Sequence, residues 1–124
     1  MPAPILLLAL FSVALSGLAQ VAFKFGVSSP DARAAFADGS PLVVAQALAL
    51  SPGVIGGLAM YGVGTLVWLN VLARTPLSLA YPFVGLSFVV TGVMGYLLFQ
   101  EAISPTRVFG TALVIAGVAL VGRG

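Results

Sequence analysis

The sequence has no cysteine, no histidine and very little charge. Without Cys and His, disulfides, thiol chemistry and the common zinc sites are excluded. Charged residues make up 6% of the 124 residues, and 60% are hydrophobic. Because a soluble domain carries about 25% charged residues, we expect this chain to be surrounded by lipid. The net charge of +2 is also too small for a nucleic-acid-binding surface.

Ser-Pro dipeptides divide the chain into segments. They occur at 29–30, 40–41, 51–52 and 104–105, and Thr75-Pro76 is a close variant. A hydroxyl can cap a helix whose first residue is Pro, because that position needs no N–H donor. Each dipeptide therefore predicts the start of a helix.

Four apolar segments are long enough to cross a bilayer. We predict an all-α integral membrane protein, a single domain over residues 1–124, with spans at about 5–25, 53–73, 77–99 and 105–121. Residues 41–50 are too short to cross ~30 Å of hydrocarbon at 1.5 Å per residue, so we predict an interfacial helix before the second span. The first span lacks the basic residue that precedes a secretory signal's apolar core, and we expect it to be a membrane helix.

A polar stripe runs along the first span. Ser12, Ser16, Gln20 and Lys24 recur every fourth residue, which places them on one helix face that drifts by ~40° per step. In lipid such a stripe must face another helix or a hydrated cavity. One interpretation is a substrate path; the alternative is that Ser and Gln join helices while Lys24 reaches to the headgroups.

The second span carries four further polar or aromatic residues. Tyr61, Thr65 and Trp68, at i, i+4 and i+7, can share a face. Trp68 is typical of a membrane-interface aromatic residue. Asn70 lies near the helix end, where it either caps backbone groups or contributes to a site.

The third span is irregular. Pro82 removes a backbone hydrogen bond and predicts a kink or a loosened turn just after the helix begins. Gly85 and Gly92 permit bending and close approach, while Ser87 can satisfy freed carbonyls or line a cavity. These features suggest a moving gate, and tight packing against neighbouring helices explains them equally well.

The last span contains small residues at regular spacing. Gly110 and Gly117 lie seven residues apart, and Ala112 and Ala116 add a small-xxx-small pattern. Such a flat surface favours close helix contact in lipid. We predict a dimer interface here, with packing inside the chain as the alternative.

Charges at the ends of the spans do not set an orientation. Arg74 and Arg123 lie on one membrane side, and Arg33 and Arg107, with Lys24 if it lies at the surface, lie on the other, so the positive-inside rule gives almost no preference. Either the protein inserts in both directions, as an antiparallel dimer requires, or a partner decides; the alternative is that the small bias still fixes one topology. Glu101, which precedes the last span with Arg107, is expected to form an interfacial ion pair or to neutralise a helix end.

Two segments carry a family resemblance. "TPLSLAYPFVGLSFVV", followed by "EAISPTRVFGTALVIAGVALVG", resembles the short four-helix form of the EamA-like drug/metabolite transporter superfamily, and "AQVAFKFG" extends the likeness to the first span. In the small multidrug resistance branch a first-helix Glu lies eight residues before a Lys. Lys24 matches that Lys and Tyr61 and Tyr81 match aromatic positions, but Ser16 replaces the Glu and Val84 replaces a Trp. Without the carboxylate, proton-coupled export of cations is not expected.

The branch that flips aminoarabinose-phosphoundecaprenol is more similar, through the Gln-then-Lys pattern, "AYP" and "EAISPTRVFG". This resemblance implies movement of a lipid-linked sugar, or a similar amphiphile, between leaflets of the bacterial inner membrane. A cationic Lys suits a phosphate, and hydroxyl and amide groups suit a sugar. We accordingly expect Lys24 to hold phosphate and Ser16 and Gln20 to contact the sugar. The residues expected to line the cavity are Tyr61, Asn70, Tyr81 and Ser87. Those expected to permit rearrangement of the third span are Pro82, Gly85 and Gly92.

The expected partners are membrane lipid, the lipid-linked substrate, and either a second copy or a paralogue; no cofactor, metal or nucleic acid is expected. One alternative function is a non-transporting scaffold subunit of a lipid-modifying complex. Another is export of a small metabolite or cation without the missing Glu. An enzyme is not expected, because the spans contain no His, no Cys and no carboxylate pair.

Overall fold

The structure, a computed structural model, describes residues 1–124 and contains only helices. In chain order these are α1 (Ala3–Val27), α2 (Pro30–Asp38), α3 (Pro41–Ala49), α4 (Pro52–Leu72), α5 (Leu77–Ala80), a 3₁₀ segment (Tyr81–Leu86), α6 (Ser87–Phe99) and α7 (Pro105–Arg123). Four spans are long and apolar enough to cross a membrane: α1, α4, the α5–α6 unit and α7. The predicted all-α fold with four spans is therefore confirmed, and within the predicted 41–50 segment a helix forms over Pro41–Ala49.

The four Ser-Pro dipeptides begin helices as predicted. Ser29, Ser51 and Ser104 each accept a hydrogen bond from the backbone N–H three residues later, at 3.3, 3.4 and 3.1 Å. Ser40 occupies the same position before α3 but makes no side-chain cap. In all four cases Pro is the first helical residue, where its missing N–H removes no bond.

Thr75-Pro76 behaves differently, and the prediction that Thr75 caps a helix is wrong. Helix α5 begins at Leu77, so Pro76 itself is the N-cap and Thr75 lies one residue too early. The Thr75 side chain turns inward instead, with 7% of its surface exposed and no hydrogen-bond partner for Oγ1.

The third span changes helix type at Pro82. Backbone from Tyr81 to Leu86 forms a 3₁₀ segment between the α-helical α5 and α6. Pro has no N–H and its ring crowds the preceding turn, which explains the loosened turn that the sequence predicted.

Helix α1 is the centre of the fold. It packs against α4, α6 and the 3₁₀ segment, whereas α7 packs mainly against the 3₁₀ segment. As a result 39% of the most apolar part of α1 is buried within the chain, against 6% for α7. The polar stripe thus lies on the helix with the most neighbours.

Candidate functional site

Helices α1 and α4 approach to backbone contact through glycines of α4. A Cβ placed on Gly53 would lie 2.7 Å from the backbone N of Gly26, and one on Gly57 would lie 2.6 Å from the Phe23 ring. Small residues permit such approach in lipid, where van der Waals packing drives helix association. This contact fixes which face of α1 meets α4.

The first half of the polar stripe lies in this packed interface. Ser12 is 2% exposed, and its hydroxyl donates a 2.7 Å hydrogen bond to the carbonyl of Gly64 on α4. Ser16 Oγ lies 3.5 Å from the position of a Cβ on Gly64 and is half-buried. For Ser12 the helix-joining interpretation is therefore correct, and Ser16 lies at the edge of the same interface.

The second half of the stripe leaves the interface. Gly17 packs against Val90 of α6, where a Cβ on Gly17 would lie 2.9 Å from the valine Cβ. Angles around α1 can be measured from Ser12, which faces α4, at ~100° per residue. Gly17, which faces α6, lies at ~140°. Gln20 lies at ~80° and Lys24 at ~120°. Gln20 and Lys24 therefore lie in the angular gap between α4 and α6, and both are exposed.

Tyr61 lies on the same side of the helix pair. It follows Gly57, which faces α1, by one turn and ~40°. Because α1 and α4 run antiparallel, the same rotation away from their shared interface, counted from the N-terminus to the C-terminus of each helix, leads to the same side of the pair. Tyr61 is 46% exposed, and its carbonyl accepts a 2.8 Å hydrogen bond from the Thr65 hydroxyl.

Helix geometry places four of these residues on one side of the α1/α4 pair, a surface that we call the α1 groove: Ser16, Gln20, Lys24 and Tyr61. No hydrogen bond within the chain engages the Gln20 amide or the Lys24 ammonium. Lys24 lies in the last turn of α1, where the helix dipole favours a cation. The groove thus offers one cationic group and an amide, both free to bind a ligand.

The other predicted cavity residues are distributed elsewhere. Asn70 is thirteen residues from Gly57, ~220° around α4, and lies on the side away from α1. Tyr81 is 62% exposed on the 3₁₀ segment, toward the membrane end opposite Lys24. Ser87 is half-buried one turn before Val90, near the depth of Ser16. The arrangement brings neither Asn70 nor Tyr81 into the α1 groove.

The predicted glycines differ in their surroundings. A Cβ on Gly85 would lie 3.0 Å from Val114 Cγ1 of α7, so this glycine permits a close helix contact. Gly92, Gly110 and Gly117 have no atom within 4 Å of that position. Their proposed roles in gating and dimer contact remain predictions.

Sequence reasoning missed the role of Gly53 and Gly57. Their four-residue spacing is the same small-xxx-small signal that was assigned to the last span. In the structure this spacing is used inside the chain by α4 and leaves α7 open. The spacing of small residues alone does not predict which neighbouring helix they contact.

Several bacterial proteins resemble the chain in sequence. The probable 4-amino-4-deoxy-L-arabinose-phosphoundecaprenol flippase subunit ArnE of Pseudomonas fluorescens Pf-5 is 40% identical over 118 residues, 95% of this chain and 96% of that protein. The protein of the same name from Pseudomonas aeruginosa LESB58 is 36% identical over 116 residues, 94% and 95% of the two chains. The one from Pseudomonas fluorescens Pf0-1 is 44% identical over 73 residues, 59% of this chain and 64% of its own length. No family model and no solved structure matches the chain.

Proposed function

Because the chain belongs to the family of flippase subunits named ArnE, we propose that it moves a polyprenyl-phosphate-linked amino sugar between the leaflets of the bacterial inner membrane. The relatives are named for transport, in agreement with the expectation that the chain is not an enzyme. The observation that carries the proposal is the α1 groove, in which a cation and an amide lie exposed between two packed helices.

Lys24 is proposed to bind the phosphate. It is the only cationic residue on the polar stripe, and it occupies the last turn of α1. A hydrogen bond between an ammonium and a phosphate oxygen is about twice as strong as a neutral one. Without a partner inside the chain, the ammonium has all three donors available.

Gln20 and Ser16 are proposed to contact the sugar. They follow Lys24 toward the middle of the bilayer at one-turn intervals, about 6 Å apart along the axis. An amide and a hydroxyl both donate and accept hydrogen bonds, which suits a sugar hydroxyl. The polyprenyl tail stays in lipid, because the groove is open on one side.

A second subunit is proposed to complete the transporter. The relatives are named as subunits, and α7 leaves most of its surface uncovered. We propose that a second copy or a paralogue packs on the α7 face that carries Gly117, with Gly110 at the border of that face, where α7 turns toward α6.

Leaflet exchange tests the proposal directly. The full chain, with and without a paralogous subunit, is reconstituted into vesicles with a fluorescent polyprenyl-phosphoryl amino sugar. The fraction of this lipid that a quencher added outside the vesicles can reach is followed in time. We expect Lys24→Ala to slow exchange about tenfold, the effect of losing ~1.4 kcal/mol of phosphate binding. Gln20→Ala should slow exchange by a smaller factor.

Gln46→Ala is the matched control, since Gln46 is an exposed glutamine on α3 outside the groove. Wild-type rates in both groove variants would refute the α1 groove as the path. No exchange by the wild type with its paralogue present would instead favour the scaffold function.

A further inference from the structure

A cavity lies on the far side of α6 from the α1 groove. Its volume is about 820 Å³, and residues of α6, α7 and the turn between them line it. Gly92, which lines it, is ~200° around α6 from Val90, and Val90 is the residue that meets α1. This α6/α7 cleft is therefore separate from the path proposed above.

The walls of the α6/α7 cleft offer no hydrogen-bond donor to an occupant, although they include two threonines. The Thr91 hydroxyl donates to the Ser87 carbonyl at 3.0 Å, and the Thr111 hydroxyl donates to the Arg107 carbonyl at 2.9 Å. Because each hydroxyl proton is bonded within its own helix, no donor from either threonine remains for an occupant. Gly92 adds a smooth surface where no side chain projects. The walls suit a hydrocarbon chain.

The α6/α7 cleft ends in charges at the membrane side that Lys24 also occupies. Arg107 Nη1 donates to the Ala102 carbonyl at 3.2 Å, and the other guanidinium N–H groups make no hydrogen bond inside the chain. Glu101 turns toward α6, where its Oε1 would be 2.5 Å from a Cβ on Gly95. The two side chains therefore turn toward different partners, and a cation and an anion both border the opening.

The length of the α6/α7 cleft indicates how much of a lipid it holds. From Arg107 to Ile115 it follows α7 over eight residue steps, which is ~12 Å at 1.5 Å per residue. The hydrocarbon core is ~30 Å thick, so only the part of a chain nearest the headgroup fits. Near the other end α7 comes close to the 3₁₀ segment, where a Cβ on Gly85 would lie 3.0 Å from Val114.

We propose that the α6/α7 cleft binds the first isoprene units of a polyprenyl-phosphate lipid, with Arg107 on the phosphate and Glu101 on the cationic amine of an amino sugar. The identity of the lipid rests on the proposed function, while the site itself rests on the apolar walls and on the two opposite charges at the opening. A headgroup carrying one phosphate and one amine complements one guanidinium and one carboxylate. The cleft thus holds the substrate beside α6 without occupying the α1 groove.

Photo-crosslinking in lipid nanodiscs tests the proposal. The probe is undecaprenyl phosphate with a diazirine on its first isoprene unit, and crosslinked peptides are mapped by mass spectrometry. We expect crosslinks in α6 and α7, reduced about tenfold by Gly92→Leu and by Arg107→Gln, a factor that corresponds to ~1.4 kcal/mol. Ala112→Phe fills the same space from α7 and is the second variant if Gly92→Leu fails to fold.

Matched controls exist for both changes. Gly56 also has open space at its Cβ position but lies on α4, so Gly56→Leu should leave the crosslinks unchanged. Arg33 is exposed on α2, at the same membrane end as Arg107, so Arg33→Gln should have no effect. Glu101→Gln should weaken competition by the aminoarabinose-bearing lipid and leave competition by undecaprenyl phosphate unchanged.

Three results would overturn the proposal. The first is crosslinking confined to α1 and α4. The second is equal competition by phosphatidylglycerol, which would make the occupant an ordinary bilayer lipid. The third is a disulfide between two copies at Gly92→Cys that persists with lipid present, which would place a second copy in the cleft; the chain has no other cysteine to complicate this result. Crosslinking measures binding and does not depend on leaflet exchange. The cleft proposal can therefore fail while leaflet exchange is intact, and leaflet exchange can fail while crosslinking in the cleft is intact.

Discussion

The α1/α4 pair and the α6/α7 pair are both built from glycine-rich apolar helices, yet they pack in opposite ways. On α4, Gly53 and Gly57 lie against atoms of α1, and a Cβ at either position would clash. On α6 and α7, Gly92, Gly110 and Gly117 face open space. Glycine spacing therefore serves a closed interface in one pair and an open cleft in the other.

A hydrogen bond adds to this difference. The closed pair is joined by the buried bond from Ser12 to the Gly64 carbonyl. In the open pair the hydroxyls of Thr91 and Thr111 bond within their own helices. The closed pair is thus a fixed support for the α1 groove, and the open pair offers surface to lipid or to another subunit.

Gly53→Leu is expected to have the largest effect, because it breaks the closed pair. The new side chain would meet backbone atoms of Gly26 and Ala22 at 2.7–2.9 Å, and backbone cannot move aside as a side-chain end can. We expect a loss of about 3 kcal/mol or more in unfolding free energy, measured by denaturant unfolding in detergent. Gly62→Leu, on the open side of α4, is the control; equal stability of both variants would contradict the closed packing.

Ser12→Ala should have an intermediate effect. It removes the bond to Gly64 from an interface where the serine is 2% exposed. Hydrogen bonds between membrane helices contribute ~0.6 kcal/mol on average and up to ~1.7 kcal/mol, and we expect a loss in that range by the same unfolding measurement. Ser78→Ala, at an exposed serine on α5, is the control; an unchanged midpoint for Ser12→Ala would show that the bond adds no stability.

Gly117→Ala should have the smallest effect on the fold. No atom lies within 4 Å of the new Cβ, and alanine favours helix over glycine by up to ~1 kcal/mol. We expect the unfolding free energy of the monomer to stay the same or rise by up to ~1 kcal/mol. Destabilisation of the monomer would mean that α7 packs inside the chain more closely than the structure shows. Weaker association measured by analytical ultracentrifugation would support the proposed dimer contact.

Local sequence features predicted much of the fold. The four Ser-Pro dipeptides marked helix starts because proline favours the first helical position, and three of the four serines also cap their helix. Pro82 marked the loosened turn through an equally local effect, its missing N–H. The Thr75-Pro76 dipeptide differs from the others because its helix begins after the proline, so that Pro76 itself is the N-cap.

The candidate site was less predictable. The four-residue spacing of the stripe identified one face of α1, but only the positions of α4 and α6 separate buried Ser12 from exposed Gln20 and Lys24. Asn70 was grouped with Tyr61 on polarity, although the helix period places it on the opposite side of α4 from α1. From the sequence, Arg107 and Glu101 are expected to form an interfacial ion pair or to neutralise helix ends, because the α6/α7 cleft that they border arises from tertiary packing and has no local signal.

The central claim is that the exposed part of the stripe carries a phosphate-bearing headgroup between leaflets. The most direct measurement is the leaflet exchange rate of the fluorescent polyprenyl-phosphoryl amino sugar in vesicles containing Lys24→Arg or Lys24→Gln with the paralogous subunit. Since a guanidinium also binds phosphate, we predict that Lys24→Arg keeps most of the wild-type rate while Lys24→Gln loses about tenfold, ~1.4 kcal/mol. Equal, wild-type rates in the two variants would contradict the account.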